Sequence, residues 1–146
     1  MARVKIHFPL ASPLYETSVP VRIGDVNYGG HLGNDAVLSL AHEVRMQMLA
    51  SIGFTELDCG GAGLIMADAS IAYKAEAFYG DSISVRVYAT EISTRSFVLQ
   101  YLLQTLRNGR TIDVAHVQTG MASFDYTSRS IVPISARLSK FLRGEG

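Results

Sequence analysis

The chain has 146 residues, in which 13 Lys and Arg balance 13 Asp and Glu. This length fits one domain with a single hydrophobic core, and the zero net charge argues against a nucleic-acid-binding protein, which usually carries a basic excess. Charged residues make up only 18% of the sequence, so we expect some apolar surface to be buried against another copy of the chain.

The sequence contains no apolar run near the ~20 residues that span a bilayer. Its first residues, Met1 to Pro13, lack the basic start, apolar core and cleavage site of a signal peptide. We therefore expect a cytoplasmic protein with no membrane partner. The single cysteine, Cys59, has no Cys or His neighbour at metal-ligand spacing, and we expect a reduced thiol, no metal and no cofactor.

The first predicted elements are a strand and a loop. Tyr15 to Ile23 is rich in β-branched residues and predicts the strand, and the glycine-punctuated stretch Gly24 to Gly33 predicts the loop. A helix from about Asp35 to Ile52 follows, with Asn34 as a candidate cap and Gly53 as the stop. Its apolar residues recur at three- and four-residue steps, at Val37, Ala41, Val44, Met48 and Ile52.

Four strands are predicted next, with no second long helix between them: Gly63 to Lys74, Ser82 to Ile92, Phe97 to Leu106 and Thr111 to Phe124. In the second, alternation places Ile83, Val85, Val87 and Ala89 on one face and Ser84, Arg86, Tyr88 and Thr90 on the other.

A hairpin turn and a short terminal helix complete the predicted elements. Asn108-Gly109 predicts the turn, because both residues tolerate positive φ, and Ser135 to Leu142 can form the helix. The order of elements favours an α+β fold in which one helix lies across an antiparallel sheet. One helix leaves a sheet edge uncovered, so two copies are expected to pair edge to edge.

The unusual segment runs from Asp25 to Asp35. Its glycines let the backbone approach a ligand closely, and it leads into a helix N-terminus, which can bind an anion or polarise a carbonyl oxygen. Asp25, Asn27, His31 and Asn34 add hydrogen-bonding groups, so the segment has the ingredients of an oxyanion site. The alternative is an ordinary turn, since Gly, Asn and Asp are common turn residues and Asn34 can serve as a helix cap.

Three short motifs resemble the 4-hydroxybenzoyl-CoA thioesterase-like hotdog proteins. That family typically has Asp, any residue, Asp, two residues and Gly, then His-x-Asn-Asn at the start of a long helix. The matching residues here are Asp25-Val26-Asn27, Gly30-His31 and Gly33-Asn34, followed by Tyr73 to Asp81 and by Thr94 to Phe97. The resemblance covers roughly Tyr15 to Leu142. It implies a single hotdog domain over residues 1–146, with a sheet of about five strands wrapped around one long central helix.

The implied activity is hydrolysis of an acyl-CoA thioester to the free acid and CoA, by a homodimer or a dimer of dimers. In such thioesterases the second acidic residue of the motif attacks the thioester or activates water. Here that position is Asn27, and an amide cannot act as a carboxylate nucleophile or base. Asn27 can still orient a water or a carbonyl.

The candidates for the base are Asp25, His31 and Glu43. Histidine changes charge near neutral pH, and some hotdog thioesterases use a carboxylate about two helical turns in, where Glu43 stands. Glu43 also falls off the apolar stripe, which makes it a solvated or interface residue by default. Arg45 falls beside that stripe, where an arginine needs a partner or an interface.

The resemblance also implies four substrate contacts, Tyr28, Gly30, Arg95 and Ser96. Arg95 stands at the position that contacts CoA phosphates in related proteins, a role that suits the planar guanidinium fork.

Two alternative functions stay open. A hotdog enoyl-CoA hydratase is similar in its opening Gly-Asp-x-Asn, here Gly24 to Asn27, and would make Asp25 and His31 an acid–base pair. A dimer that binds an acyl-CoA or another hydrophobic ligand without turnover is favoured by the loss of the acid at Asn27.

Overall fold

The computed structural model describes residues 3–145, which form one antiparallel sheet and two helices. In chain order the elements are β1 (Tyr15–Pro20), a 3-10 turn (Ile23–Asp25), α1 (Asn34–Ser51), β2 (Gly63–Tyr73), β3 (Ser82–Thr90), β4 (Ser96–Arg107), β5 (Arg110–Asp125), β6 (Ser130–Ile131) and α2 (Ala136–Leu142). The strands lie in the order β1-β3-β4-β5-β2, and the two-residue β6 pairs with β5. A long helix against an antiparallel sheet is the predicted architecture, and it is confirmed.

Helix α1 is held against the sheet by its buried stripe of apolar residues. These are Ala36, Val37, Leu40, Ala41, Val44, Met48 and Leu49. The helix ends as predicted at Gly53, whose φ of 78° is the left-handed conformation that glycine adopts without strain. The prediction that Asn34 caps the helix is wrong: the cap position is Gly33, which has no side chain to accept a hydrogen bond from the first turn.

The strands agree with their predicted patterns, with one correction. Strand β1 ends at Pro20 rather than Ile23, because the chain turns into the 3-10 segment, where the Asp25 carboxylate accepts a hydrogen bond from the Arg22 N–H (2.8 Å). Tyr88, on the face of β3 opposite Val85 and Val87, is buried as well. The ring of Phe8, from the segment before β1, packs against it with the centroids 5.7 Å apart.

The turn and the terminal helix are also confirmed. Asn108 and Gly109 connect β4 and β5 with φ values of 52° and 75°. Helix α2 begins after Ser135, whose hydroxyl accepts a hydrogen bond from the Leu138 N–H (3.2 Å).

Strand β2 is an edge of the sheet. Within residues 3–145, it pairs with β5 on one side only, and a bulge between Met66 and Asp68 shifts the register there. The Asp68 carboxylate accepts a hydrogen bond from the Gly120 N–H (3.0 Å) at the bulge. Within residues 3–145, no helix has the length and apolar character needed to cross a membrane.

Arg45 is buried on α1, and it has the partners that the sequence required. Its Nε donates to a Glu56 carboxylate oxygen (2.9 Å), and its Nη1 donates to the Tyr101 hydroxyl (3.0 Å). Burial alone would lower the pKa of Arg45, but Tyr101 and Glu56 outweigh it and raise that pKa above its ordinary value.

Candidate functional site

Asn27 shapes the loop that leads into α1. Its side-chain oxygen accepts hydrogen bonds from the N–H groups of Gly29 (2.9 Å) and His31 (3.4 Å). Its own N–H donates to the His31 carbonyl (2.9 Å). Gly30 permits this tight closure with a φ of 84°. The Asn27 oxygen therefore holds His31 in place.

The loop is attached to the segment after β2. The Leu32 N–H donates to the Ala77 carbonyl (2.7 Å), and His31 pairs with Phe78 in a short antiparallel bridge. The Nε2 atom of His31 lies 3.8 Å from a carboxylate oxygen of Glu76. Two of the motifs that carried the family resemblance are thus neighbours in space.

The first turn of α1 presents unpaired backbone donors. The Gly33 N–H donates to the Asp25 carbonyl (2.9 Å), but within residues 3–145 no acceptor is bonded to the N–H groups of Asn34 and Asp35. Such groups carry the partial positive charge of the helix dipole. They can stabilise a negative oxygen that develops next to them.

A cavity of about 230 Å³ opens at this helix start, and we call it the helix-start pocket. It is bounded by the loop, the first turn of α1, the end of β2 and one residue of β5. The lining residues are His31, Leu32, Asn34, Val37, Tyr73, Lys74, Ala75, Glu76 and Val114. The pocket therefore combines apolar walls, an imidazole, a cation and Asn34, the first residue of the helix, and Asp35 is next to it in the chain.

His31 has the geometry of a proton acceptor in this pocket. Its Nδ1 lies 3.3 Å from the Leu32 carbonyl oxygen, which can only accept a hydrogen bond, so we assign the proton to Nδ1. The Nε2 atom then carries the free lone pair. The side chain is 32% exposed, so solvent can reach it.

Two other candidate bases lie in a different groove. Asp25 and Glu43 both line a cavity of about 350 Å³ between β1 and α1, which we call the β1 groove. The Asp25 carboxylate is bonded to the Arg22 N–H (2.8 Å), and the Glu43 carboxylate to the Gln47 amide (2.8 Å). Within one chain, Asp25 and Glu43 do not line the pocket that contains His31.

The four predicted substrate contacts are dispersed in one chain. Tyr28 and Gly30 are exposed in the loop beside His31. Arg95 and Ser96 are exposed at the start of β4, where Ser96 pairs with Ala122. Leu103 pairs with Ala115, which is next to the pocket residue Val114 on β5. Ser96 stands seven residues before Leu103, ~23 Å away along the strand.

Tyr73, Lys74 and Glu76 are pocket residues that reasoning from the sequence did not select. The Tyr73 hydroxyl donates to the Asn34 carbonyl (3.0 Å), which ties the end of β2 to the helix start. All three belong to the segment Tyr73 to Asp81 that carried part of the resemblance. The resemblance of that segment was therefore the signal by which these three residues could have been predicted.

Comparison with known proteins gives a family match and a set of similar folds. The model of the thioesterase-like superfamily matches residues 21–142. A search of curated proteins gives no match.

Three solved structures illustrate the similarity of fold. The 1,4-dihydroxy-2-naphthoyl-CoA thioesterase of Synechocystis is 20% identical, with 88% of this chain and 95% of that one covered and a TM-score of 0.77. A gentisyl-coenzyme A thioesterase is 19% identical, with 88% and 99% covered and a TM-score of 0.75. A variant of 4-hydroxybenzoyl CoA thioesterase in complex with 4-hydroxybenzoyl CoA is 13% identical, with 88% and 97% covered and a TM-score of 0.78. At these identities the similarity shows the hotdog fold, as predicted.

Proposed function

The chain belongs to the thioesterase-like superfamily, and from that premise we propose that it hydrolyses an acyl-CoA thioester to the free acid and CoA. The observation that carries the proposal is the uncapped first turn of α1, which opens on the helix-start pocket beside His31. Backbone donors aimed at a developing negative oxygen are the main electrostatic requirement for acyl transfer.

The proposed reaction begins with the thioester carbonyl oxygen against the N–H groups of Asn34 and Asp35. His31 Nε2 accepts a proton from a water, and the water oxygen attacks the carbonyl carbon. Glu76, whose carboxylate lies 3.8 Å from Nε2, then faces the imidazolium. When the intermediate collapses, the carbon–sulfur bond breaks and the imidazolium returns the proton to the departing CoA thiolate.

Asn27 has a positioning role in this scheme. Because its oxygen is bonded to the N–H groups of Gly29 and His31, it fixes the loop that presents the imidazole. An amide meets that requirement as well as a carboxylate does. The asparagine at the usual acidic position is therefore compatible with hydrolysis in which His31 is the base.

We further propose that the protein acts in the cytoplasm as a homodimer or a dimer of dimers. Strand β2 is an exposed sheet edge of eleven residues, and an edge of that length is a template for pairing with a second copy. Arg95 and Ser96 remain predicted contacts for CoA. We propose that a second copy supplies them to the CoA bound at a helix-start pocket. Light scattering measures the oligomeric state directly.

The proposal is tested by removing one backbone donor without changing the fold. Asn34 is the first helical residue and Gly33 before it is extended, which is the position and context that proline favours. Asn34→Pro deletes the N–H, whereas the control Asn34→Ala keeps it. With a panel of acyl-CoAs and thiol release as the readout, we expect Asn34→Pro to lower kcat by ~100-fold and Asn34→Ala to stay near wild type.

The same panel separates the alternatives. Hydration of a 2-enoyl-CoA without thiol release would favour the hydratase, and binding without either reaction would favour a ligand-binding protein. The acid–base pair that a hydratase would form from Asp25 and His31 is not favoured in one chain, because the two side chains line different cavities.

A further inference from the structure

Residues 76–81, which connect β2 to β3, carry the carboxylate that faces His31. The Glu76 carboxylate lies 3.8 Å from His31 Nε2, and its side chain is 64% exposed. Packing of the side chain therefore does not fix this carboxylate, and its distance from the imidazole depends on where the backbone of the segment is held. On one side the segment is held by the loop before α1, through the bond from Leu32 to Ala77 and the bridge between His31 and Phe78.

Arg107, the last residue of β4, holds residues 76–81 from the other side. Its Nη1 donates to the Glu76 carbonyl (3.3 Å), and its Nη2 donates to an Asp81 carboxylate oxygen (2.7 Å). The guanidinium carbon lies 5.1 Å from the centre of the Phe78 ring, which is within the range of a cation–π contact. One side chain thus contacts the start, the middle and the end of the segment.

Asp81 carries this support to the residue that touches the loop. The carboxylate oxygen that accepts from Arg107 also accepts from the Phe78 N–H (2.9 Å), and the Asp81 N–H donates to the Phe78 carbonyl (3.0 Å). The Arg107 and Asp81 side chains are only 29% and 25% exposed, so solvent weakens their attraction less than that of an exposed ion pair. A continuous set of contacts therefore leads from Arg107 through Asp81 and Phe78 to His31.

We propose that Arg107 is a positioning residue for the hydrolysis. By holding residues 76–81, it keeps the Glu76 carboxylate opposite His31 Nε2 while the imidazole accepts the proton. This inference rests on the proposed function. In the described part of the chain, Arg107 does not line the helix-start pocket, so its effect on the reaction passes through Glu76. The planar guanidinium suits this role, because two of its N–H groups reach two acceptors at once, which the single ammonium of a lysine does not reproduce.

The kinetic test is a double-mutant cycle between Arg107 and Glu76, with thiol release from an acyl-CoA as the readout. We expect Arg107→Met and Glu76→Gln each to lower kcat by about tenfold while KM stays within about twofold. The double variant should also be about tenfold slower rather than about a hundredfold, because both changes remove the same contact. Arg110→Met is the matched control. Arg110 is exposed and stands opposite Arg107 across the β4–β5 hairpin, and its replacement should leave kcat near wild type.

Arg107→Lys separates positioning from a general loss of stability. The lysine keeps a positive charge beside Asp81 but not the second bond to the Glu76 carbonyl, so the protein should unfold at nearly the wild-type urea concentration while kcat falls about fivefold. Wild-type kcat in Arg107→Lys would show that the charge alone is required. A rise in KM at unchanged kcat would show that Arg107 binds a phosphate of CoA instead. Additive losses in the double variant would show that Arg107 does not act through Glu76. Each of these results would overturn the positioning role.

A spectrum without turnover keeps this inference separate from the proposed function. Nitrogen-15 NMR detects the ring of each histidine, and His31→Gln identifies the signal of His31. We expect that signal to shift in Arg107→Lys and in Glu76→Gln but not in Arg110→Met. If no acyl-CoA is hydrolysed and the signal shifts in this way, the proposed hydrolysis is wrong and the positioning of Glu76 against His31 by Arg107 stands. If hydrolysis is found and the signal does not move in Arg107→Lys, the hydrolysis stands and the positioning role is wrong.

Discussion

The Tyr73 hydroxyl donates a hydrogen bond of 3.0 Å to the backbone carbonyl of Asn34, so the end of β2 is tied to the first residue of α1. The helix start is thereby held by two separate parts of the chain. The Gly33 N–H is bonded to Asp25 on one side, and Tyr73 holds the other side. Both bonds fix the direction in which the N–H groups of Asn34 and Asp35 point.

Tyr73→Phe removes one of these two ties. We expect kcat/KM for an acyl-CoA to fall about fivefold, because one hydrogen bond of ~1 kcal/mol no longer holds the oxyanion donors in place. The unfolding free energy should fall by ~1 kcal/mol or less. Tyr79→Phe is the control, since Tyr79 is exposed nearby and does not line the pocket. Equal effects of the two substitutions would contradict the role of Tyr73.

His31 and Glu43 can now be ranked as bases. His31→Ala should lower kcat by ~100-fold, whereas Glu43→Ala should change it by about twofold or less, because Glu43 lines the β1 groove and is bonded to Gln47. Steady-state thiol release measures both variants. If Glu43→Ala causes the larger loss, the reacting carbonyl lies in the β1 groove and the proposed base is wrong.

Asn27 offers a test with two substitutions, of which only one should lower kcat markedly. Asn27→Asp keeps an oxygen where the N–H groups of Gly29 and His31 donate, so kcat should stay within about threefold of wild type. Asn27→Ala removes that oxygen and loosens the loop, and kcat should fall by ~10-fold. Single-turnover hydrolysis distinguishes the two variants from the wild type. A large rise in Asn27→Asp would instead make the carboxylate the better catalyst.

Local signals in the sequence were sufficient to predict the helices, strands and turns. The Asn108-Gly109 turn and the stop at Gly53 depend on positive φ, a property of the residues themselves. The stripe of α1 follows from its period, and the same periodicity predicted that Arg45 needs a partner. The family resemblance included both the loop at His31 and the segment at Glu76, which are neighbours in the structure.

Long-range contacts determined what the sequence did not predict. Tyr88 is buried because Phe8, eighty residues earlier, packs against it. The cap position is Gly33, which is extended, and its N–H is bonded to the Asp25 carbonyl across the loop. The separation of Asp25 from His31 likewise arises because their side chains point to different sides of the loop. Alternation along the sequence does not predict the side to which a loop side chain points.

The buried network around Arg45 should add to the stability of the helix–sheet contact. Arg45→Met removes one donor from the Glu56 carboxylate and one from the Tyr101 hydroxyl, and we expect the unfolding free energy to fall by ~3 kcal/mol. Tyr101→Phe removes only a hydroxyl and should cost about 1–2 kcal/mol. Since the two residues are bonded, the double variant should lose less than the sum. Urea unfolding of the three variants gives the coupling, and strict additivity would contradict it.

Cys59 should be unreactive in the folded protein. Burial, followed by the charges of Glu56 and Asp58, raises the pKa of its thiol from 9.0 to about 12, and the thiol donates to the Thr55 carbonyl (2.9 Å). Since only the thiolate reacts readily, a disulfide reagent at pH 8 should label one thiol after unfolding in guanidinium and essentially none before.

The same shift sets a direction for alkaline stability. Between pH 9 and about 12 the unfolded chain loses the thiol proton and the folded chain keeps it, so the contribution of Cys59 to stability is present below this window and declines as the pH rises through it. Cys59→Ala should therefore show a shallower loss of unfolding free energy above pH 9 than the wild type. Rapid labelling of the native protein at pH 8, or identical alkaline profiles for the two proteins, would show that the thiol is not protected.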